Sequence, residues 1–172
     1  MRKKALTILF LVETKLTDRE MEPIKSELGF YGMLAVSSNG HRGGLALLWR
    51  EDVTMDTQTY SPNHIDMHVH AQTSHVWRLT GVYGHPEEEL KPETWRLMRH
   101  LHARASLPWL CLGDFNELLA SDEKNKGNSR SMGPMVEFKN ILLHCGLVDM
   151  GLVDIHLHGG MEGKGKHLLK RD

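Results

Sequence analysis

Residues 43–83, GGLALLWREDVTMDTQTYSPNHIDMHVHAQTSHVWRLTGVY, decide the fold. The stretch divides into Gly43–Trp49, Val53–Tyr60, His64–Ala71 and Val76–Tyr83, short apolar or alternating runs separated by Asp, Ser, Pro and Asn. With Gly32–Val36 just upstream, five strands follow one another, and short connections predict antiparallel pairing. Further upstream, Thr7–Val12 is a continuous apolar run suited to a strand covered on both faces. Thr17 and Glu20 then form a capping-box pattern, and Gly29 is placed to end the helix they start.

Downstream the period changes. Pro92–Ser106 sets Trp95, Met98, Leu101 or His102, and Ala105 on one stripe, which predicts a helix lying on a sheet. Trp109–Leu112 reads as a buried strand broken by Gly113. Pro134–Cys145 reads as a last helix with Met135, Phe138, Ile141, Leu142 and Cys145 inward, stopped by Gly146. Ser121–Gly133 and Gly159–Asp172 are polar and turn-rich, and are expected as a surface loop and a tail. The fold class is therefore α/β, a layered sandwich of mostly antiparallel sheets flanked by helices. "LVETKL" stands after the first strand where a Rossmann fold would carry its glycine-rich loop.

The chain has 172 residues, 40 % apolar and 25 % charged, enough for one core. A formal charge of −1 excludes binding to nucleic acid through a strongly basic surface, so any such contact must be local. Cys111 and Cys145 lie in apolar segments without metal-ligand or redox spacing, as packed thiols of an intracellular protein do. Arg2, Lys3 and Lys4 before Ala5–Val12 imitate a signal peptide, but Glu13 and Lys15 follow at once and no cleavage pattern appears. No run is long enough to span a membrane.

Polar groups stand at the ends of apolar strands: Glu13 after "ILFLV", Tyr83 after "RLTGV", and Asp114 with Asn116 after "WLCLG". Strand ends collect on a rim, where side chains from distant segments can meet one ligand. Taken singly, each has a plainer account: Glu13 as a solvated turn residue, Tyr83 as a core aromatic, Asp114 as a helix cap paired with Glu117.

Together, "LFLVETKL", "GGLALLW", "HID", "LTGVYGHP", "PWLCLGDFNE" and "MVEFKNILLHCGLVDMG" follow the order of endonuclease domains of plant LINE-type retroelements. The chain thus resembles the endonuclease/exonuclease/phosphatase superfamily over about residues 1–151, with 152–172 a poorly matching, irregular tail. The resemblance implies a Mg²⁺-dependent phosphodiesterase, Mn²⁺ being the alternative ion, with DNA or another phosphate ester as partner and the nucleus as one setting. Such chemistry needs a hard cation, a positioned water and groups that hold the phosphate. Mg²⁺ keeps several waters, so one or two carboxylates suffice. By resemblance Glu13 binds the metal, Asp114 orients or activates water, and Tyr83 contacts the phosphate. Asn116 holds the phosphate, projecting to the same side as Asp114 in an extended segment.

The departures carry their own expectations. The family's upstream asparagine and closing serine-aspartate-histidine have no counterpart here, so the domain is expected to be cut short at both ends, with its activity impaired or absent. Asp172, in "HLLKRD", is the weak match to a further family aspartate placed with the metal. Ile155, His156, Leu157 and His158 stand where the family has phenylalanine-threonine-tryptophan. Exposed sheet edges are expected to favour self-association. The alternative is a non-catalytic remnant that binds or only folds.

Twelve histidines raise a third reading. His68 and His70 share a strand face with Asp66, and His156 and His158 form a second pair, as a zinc site would require. Ile65, Met67, Val69 and Ala71 fill the opposite face, so a solvated histidine face is the simpler expectation.

Overall fold

The computed structural model describes residues 6–39, 43–104, 106–117, 132–156 and 162–170, with 132, 151–156 and 162–170 described through their backbone alone. In chain order these form β1 (Ile8–Val12), α1 (Asp18–Glu27), β2 (Gly32–Val36), β3 (Leu45–Trp49), β4 (Met55–Ser61), β5 (His64–Val69) and β6 (Trp77–Tyr83). Then come α2 (Lys91–His102), β7 (Trp109–Asp114), α3 (Met132–Cys145), β8 (Leu147–His156) and β9 (Glu162–Lys170). One sheet has the antiparallel order β1-β3-β2. The other has six strands in the order β4-β5-β6-β7-β9-β8. Within it only β6 and β7 run parallel, because α2 carries the chain back between them.

The alternation of side chains along each strand builds the layers. Ile8, Phe10 and Val12 of β1 and Leu45, Leu47 and Trp49 of β3 meet Ile65, Met67 and Val69 of β5 and Leu79 of β6 in a core between the two sheets. The opposite faces of the small sheet, through Leu9, Ala46 and Leu48, take Met21 and Ile24 of α1. On the far face of the large sheet, Val82, Trp109 and Cys111 take Trp95, Met98 and Leu101 of α2 with Phe138, Ile141 and Cys145 of α3. The result is a helix-sheet-sheet-helix sandwich, the architecture the periodicity predicts. Among the described residues, no helix is long and apolar enough to cross a membrane.

Local signals hold where they are short-range. Thr17 caps α1, its hydroxyl accepting from Glu20 N–H at 3.3 Å while the Glu20 carboxylate accepts from Thr17 N–H at 2.8 Å. Gly29 and Gly146 follow their helices with φ of 71° and 66°. Cys111 and Cys145 are buried thiols.

Other expectations are corrected. The strand run from residue 32 to 83 does not pair throughout: β2 and β3 belong to the small sheet and β4 opens the large one, the chain crossing between layers at residues 50–54. Gly113 does not break β7. It lies inside the strand with φ 136°, directly opposite Val82, and a Cβ there would overlap the Val82 carbonyl oxygen. The helix read to Ser106 ends at His102, and α3 starts at Met132, inside the segment expected as loop. Glu162–Lys170 is not an irregular tail but strand β9, inserted between β7 and β8, with Leu169 opposite Leu110 and Leu168 opposite Cys111. Its glycines and lysines mask a strand whose partners are remote in sequence.

The expected histidine face also changes. β5 ends at Val69, and His70 has φ 57°, so His68 and His70 share no strand face. Nor is the Asp66 side solvated. Asp66, 2 % exposed, accepts from Arg78 Nε at 2.8 Å, Arg78 Nη2 at 2.9 Å and the Thr80 hydroxyl at 2.7 Å. Arg78, 1 % exposed, also donates to Leu101 O at 2.5 Å and lies 4.8 Å over the Trp109 ring. These satisfied charges tie β5 and β6 to the end of α2.

Candidate active site

Glu13 leaves β1 with φ 52°, and Lys15 two residues on has φ 56°, left-handed values that non-glycine residues seldom adopt. The turn is held by Thr14 N–H donating to Gly44 O at 3.1 Å and Lys15 N–H donating to Gly43 O at 3.0 Å. Gly44 has φ 88°, and a Cβ on it would overlap the Thr14 hydroxyl. The "GG" before β3 thus lets one loop back the other directly after Glu13.

Tyr83 ends β6 on the face that looks toward the small sheet, and its hydroxyl donates to Glu13 Oε1 at 2.5 Å. Its backbone is pinned on the other side: Tyr83 N–H donates to Asn63 O at 2.8 Å, and Asn63 Nδ2 donates to Tyr83 O at 2.9 Å. Partial burial pushes the Tyr83 phenol well above the usual tyrosine range, and the hydrogen bond to Glu13 and the charges of Glu13, Asp114 and Glu87 push the same way. Tyr83 is therefore a neutral donor at physiological pH.

Asp114 is the register partner of Tyr83 across the parallel β6–β7 pair, so the two side chains leave the same face at the same height. Asp114 Oδ1 accepts from Asn116 N–H at 2.8 Å. Here the expected extended segment is corrected: Asn116 has φ 51° and folds back in a turn, the Asp114 carboxylate capping its amide. Asn116 Nδ2 donates to Gly84 O at 2.7 Å, and Gly84 N–H donates to Asp114 O at 2.7 Å. Four residues the sequence singled out, Glu13, Tyr83, Asp114 and Asn116, thus converge on one rim through direct bonds and strand register. Asp172, His158 and Leu157 lie outside the described residues, as does most of the 121–133 loop.

His85, which follows Gly84 two residues after Tyr83, turns toward α2. Its N–H donates to the Thr94 hydroxyl at 3.1 Å, and its Nε2 lies 3.9 Å from Glu93 Oε2. Sequence reasoning missed Asn63, Glu87, Lys91 and the pairing role of Glu117. Lys91, 3 % exposed, donates to the Glu117 carboxylate and to Asn116 O at 3.0 Å. Glu117 was visible as the last letter of "GDFNE"; nothing in "LKPETW" marks Lys91 as buried.

The donor set fits a hard divalent cation. Glu13 is bonded to Tyr83 and Asp114 is the register partner of Tyr83, so two carboxylates stand at one rim, and among the described residues no Lys, Arg or His forms an ion pair with either. Carboxylate oxygen donors suit Mg²⁺ or Mn²⁺ rather than zinc. Among the described residues no three His, Cys, Asp or Glu side chains form a ready-made metal cluster, so most of the coordination shell would be water.

Residues 1–147 match the Endonuclease/Exonuclease/phosphatase family. No curated protein matches the sequence. Among solved structures the chain is similar to an AP endonuclease from Archaeoglobus fulgidus, at 18 % identity and TM-score 0.64, over 94 % of this chain and 76 % of that one. It is also similar to the endonuclease domain of TRAS1, a telomere-specific non-LTR retrotransposon, at 12 % identity and TM-score 0.59, over 94 % and 84 %. A 3'-5' exonuclease from Neisseria meningitidis matches at 20 % identity and TM-score 0.61, over 95 % and 76 %. At these identities the likeness is one of fold.

Proposed function

The chain belongs to the endonuclease/exonuclease/phosphatase family, and from that premise we propose that it is a Mg²⁺-dependent phosphodiesterase of the retroelement endonuclease type, acting on DNA. The observation that supports this reading is the bond from Tyr83 to Glu13 beside Asp114, which gathers the family-like residues into one acidic rim. Two of the fold's neighbours are endonucleases, one from a retrotransposon, which supports a polynucleotide over a small ester.

Glu13 would hold the cation, with Mn²⁺ as substitute. When bound there, the ion supplies charge neutralisation at the phosphate and acidifies water. The chain's own groups do the rest. Asp114 keeps Oδ1 on the Asn116 amide, which leaves its second oxygen to orient the attacking water. Asn116 anchors one amide hydrogen on Gly84 O and retains a second for a phosphate oxygen. Tyr83, held neutral, can transfer its hydrogen bond from Glu13 to a phosphate oxygen as charge develops there. Asp172 is retained as a candidate metal ligand by resemblance alone. Action on DNA goes with a nuclear, reducing setting, which the buried thiols suit. Exposed Leu143 of α3, with exposed Val148 and Met150 of β8, the outermost strand of the large sheet among the described residues, supports self-association.

The test pairs supercoiled-plasmid nicking, over long incubation with Mg²⁺, with Mg²⁺ titration. Slow metal-dependent nicking lost in Asp114→Ala, with Mg²⁺ binding lost in Glu13→Ala, is the expected result. Equal background in wild type and Asp114→Ala, together with Mg²⁺ binding indifferent to Glu13, would sink the proposal and leave a non-catalytic remnant.

A further inference from the structure

We propose that Lys91 is a positioning residue of this site: from the first turn of α2 its ammonium clamps the Asn116–Glu117 turn and so fixes the Asn116 amide beside Asp114. The inference rests on the role given to Asn116 above.

The placement of Lys91 is costly for stability. It is almost fully buried, and it sits in the first helical turn, where the helix dipole disfavours a cation. Its partner Glu117 is 7 % exposed, and a buried pair of this kind can commonly be replaced by apolar residues without loss of stability. What an apolar pair could not supply is the bond from Lys91 Nζ to Asn116 O at 3.0 Å. Asn116 holds a left-handed φ of 51°, with its N–H on Asp114 Oδ1 and its side-chain amide on Gly84 O. Those two bonds fix one side of the turn. The ammonium holds the other, bridging the Asn116 carbonyl to the carboxylate of the next residue. A tetrahedral donor with three hydrogens can serve both acceptors at once.

Lys91 is therefore expected to govern where the Asn116 amide points, not substrate affinity. The test compares wild type with Lys91→Met and with Lys91→Met/Glu117→Met. The single variant should unfold more readily, because it leaves Glu117 buried without its cation. The double variant should recover the melting temperature yet exchange its Asn116 amide hydrogen at least about tenfold faster, and nick DNA about 10²-fold more slowly at little change in KM. Recovery of stability with wild-type exchange at Asn116 overturns the clamp, and faster exchange with wild-type turnover overturns its role in positioning. If the wild type itself shows no metal-dependent nicking, the nuclease reading fails, and exchange alone decides the clamp. A measurement independent of any variant is the hydrogen-bond scalar coupling from Lys91 Nζ to the Asn116 carbonyl carbon: its presence in the folded wild type supports the proposal and its absence refutes it.

Discussion

The Tyr83 hydroxyl donates to Glu13 Oε1 at 2.5 Å, joining the ends of two different sheets through side chains 70 positions apart. The bond occupies the carboxylate assigned to the cation. Tyr83→Phe should therefore bind Mg²⁺ a few-fold more tightly, about tenfold at most at this exposed position. The same variant should nick DNA more slowly, having lost a donor to the phosphate. Isothermal titration and plasmid nicking on one preparation check the opposed directions; weaker Mg²⁺ binding in the variant would show that Tyr83 supports the metal site instead of competing for it.

Arg78 and Asp66 are both buried, with every bond between them made inside the core. Arg78→Met leaves the Asp66 carboxylate without its cation and should cost about 3 to 5 kcal/mol in urea unfolding. Asp66→Leu added to it should restore much of that loss. A single variant within about 0.5 kcal/mol of wild type would contradict the buried network.

His64 is 6 % exposed, its Nδ1 2.7 Å from the Ser61 hydroxyl and its Nε2 3.0 Å from that of Thr59. Burial lowers its pKa below the ordinary 6.5, Asp66 opposes this, and Arg78 and His100 add to it. The unfolded chain then takes up a proton at a higher pH than the folded one. The contribution of His64 is complete above pH 6.5 and is lost as pH falls below it toward the folded pKa. Urea midpoints between about pH 8 and pH 5 should decline more steeply for wild type than for His64→Gln. Parallel declines would refute the assignment.

The layers were legible because Leu9, Leu45, Ile65 and Leu79 each sit in a short apolar or alternating run bounded by turn residues. The division of strands between sheets was not, since nothing local to Arg50–Thr54 states which partner β4 will meet. β9 was hidden for the same reason: its pairing with β7 spans more than fifty positions. The rim residues were legible as polar letters after apolar runs. Their geometry was not: left-handed backbone at Glu13 and Asn116 is uncommon outside glycine, and it is stabilised by the Gly43–Gly44 loop at the first and by Asp114, the Gly84 carbonyl and Lys91 at the second.

Gly113 connects the fold to the site in one residue. The letter before Asp114 reads as a strand breaker, yet Gly113 is paired with Val82 on one side and Lys166 on the other. Its φ of 136° brings the backbone so near Val82 that an added methyl would overlap the carbonyl oxygen. Gly113→Ala therefore meets two penalties, an unfavourable backbone angle and a clash with backbone that cannot rotate away, and should cost about 1 to 3 kcal/mol or more. Relief would come from β7 sliding off β6 at its end, which would separate Asp114 from Tyr83. The expected signature is loss of stability in urea together with loss of Glu13-dependent Mg²⁺ binding under conditions where the variant is still folded. Leu110→Ala, in the same strand but away from the rim, should lose stability and keep the metal. If Gly113→Ala also keeps it, the register of Tyr83 with Asp114 is not what assembles the site.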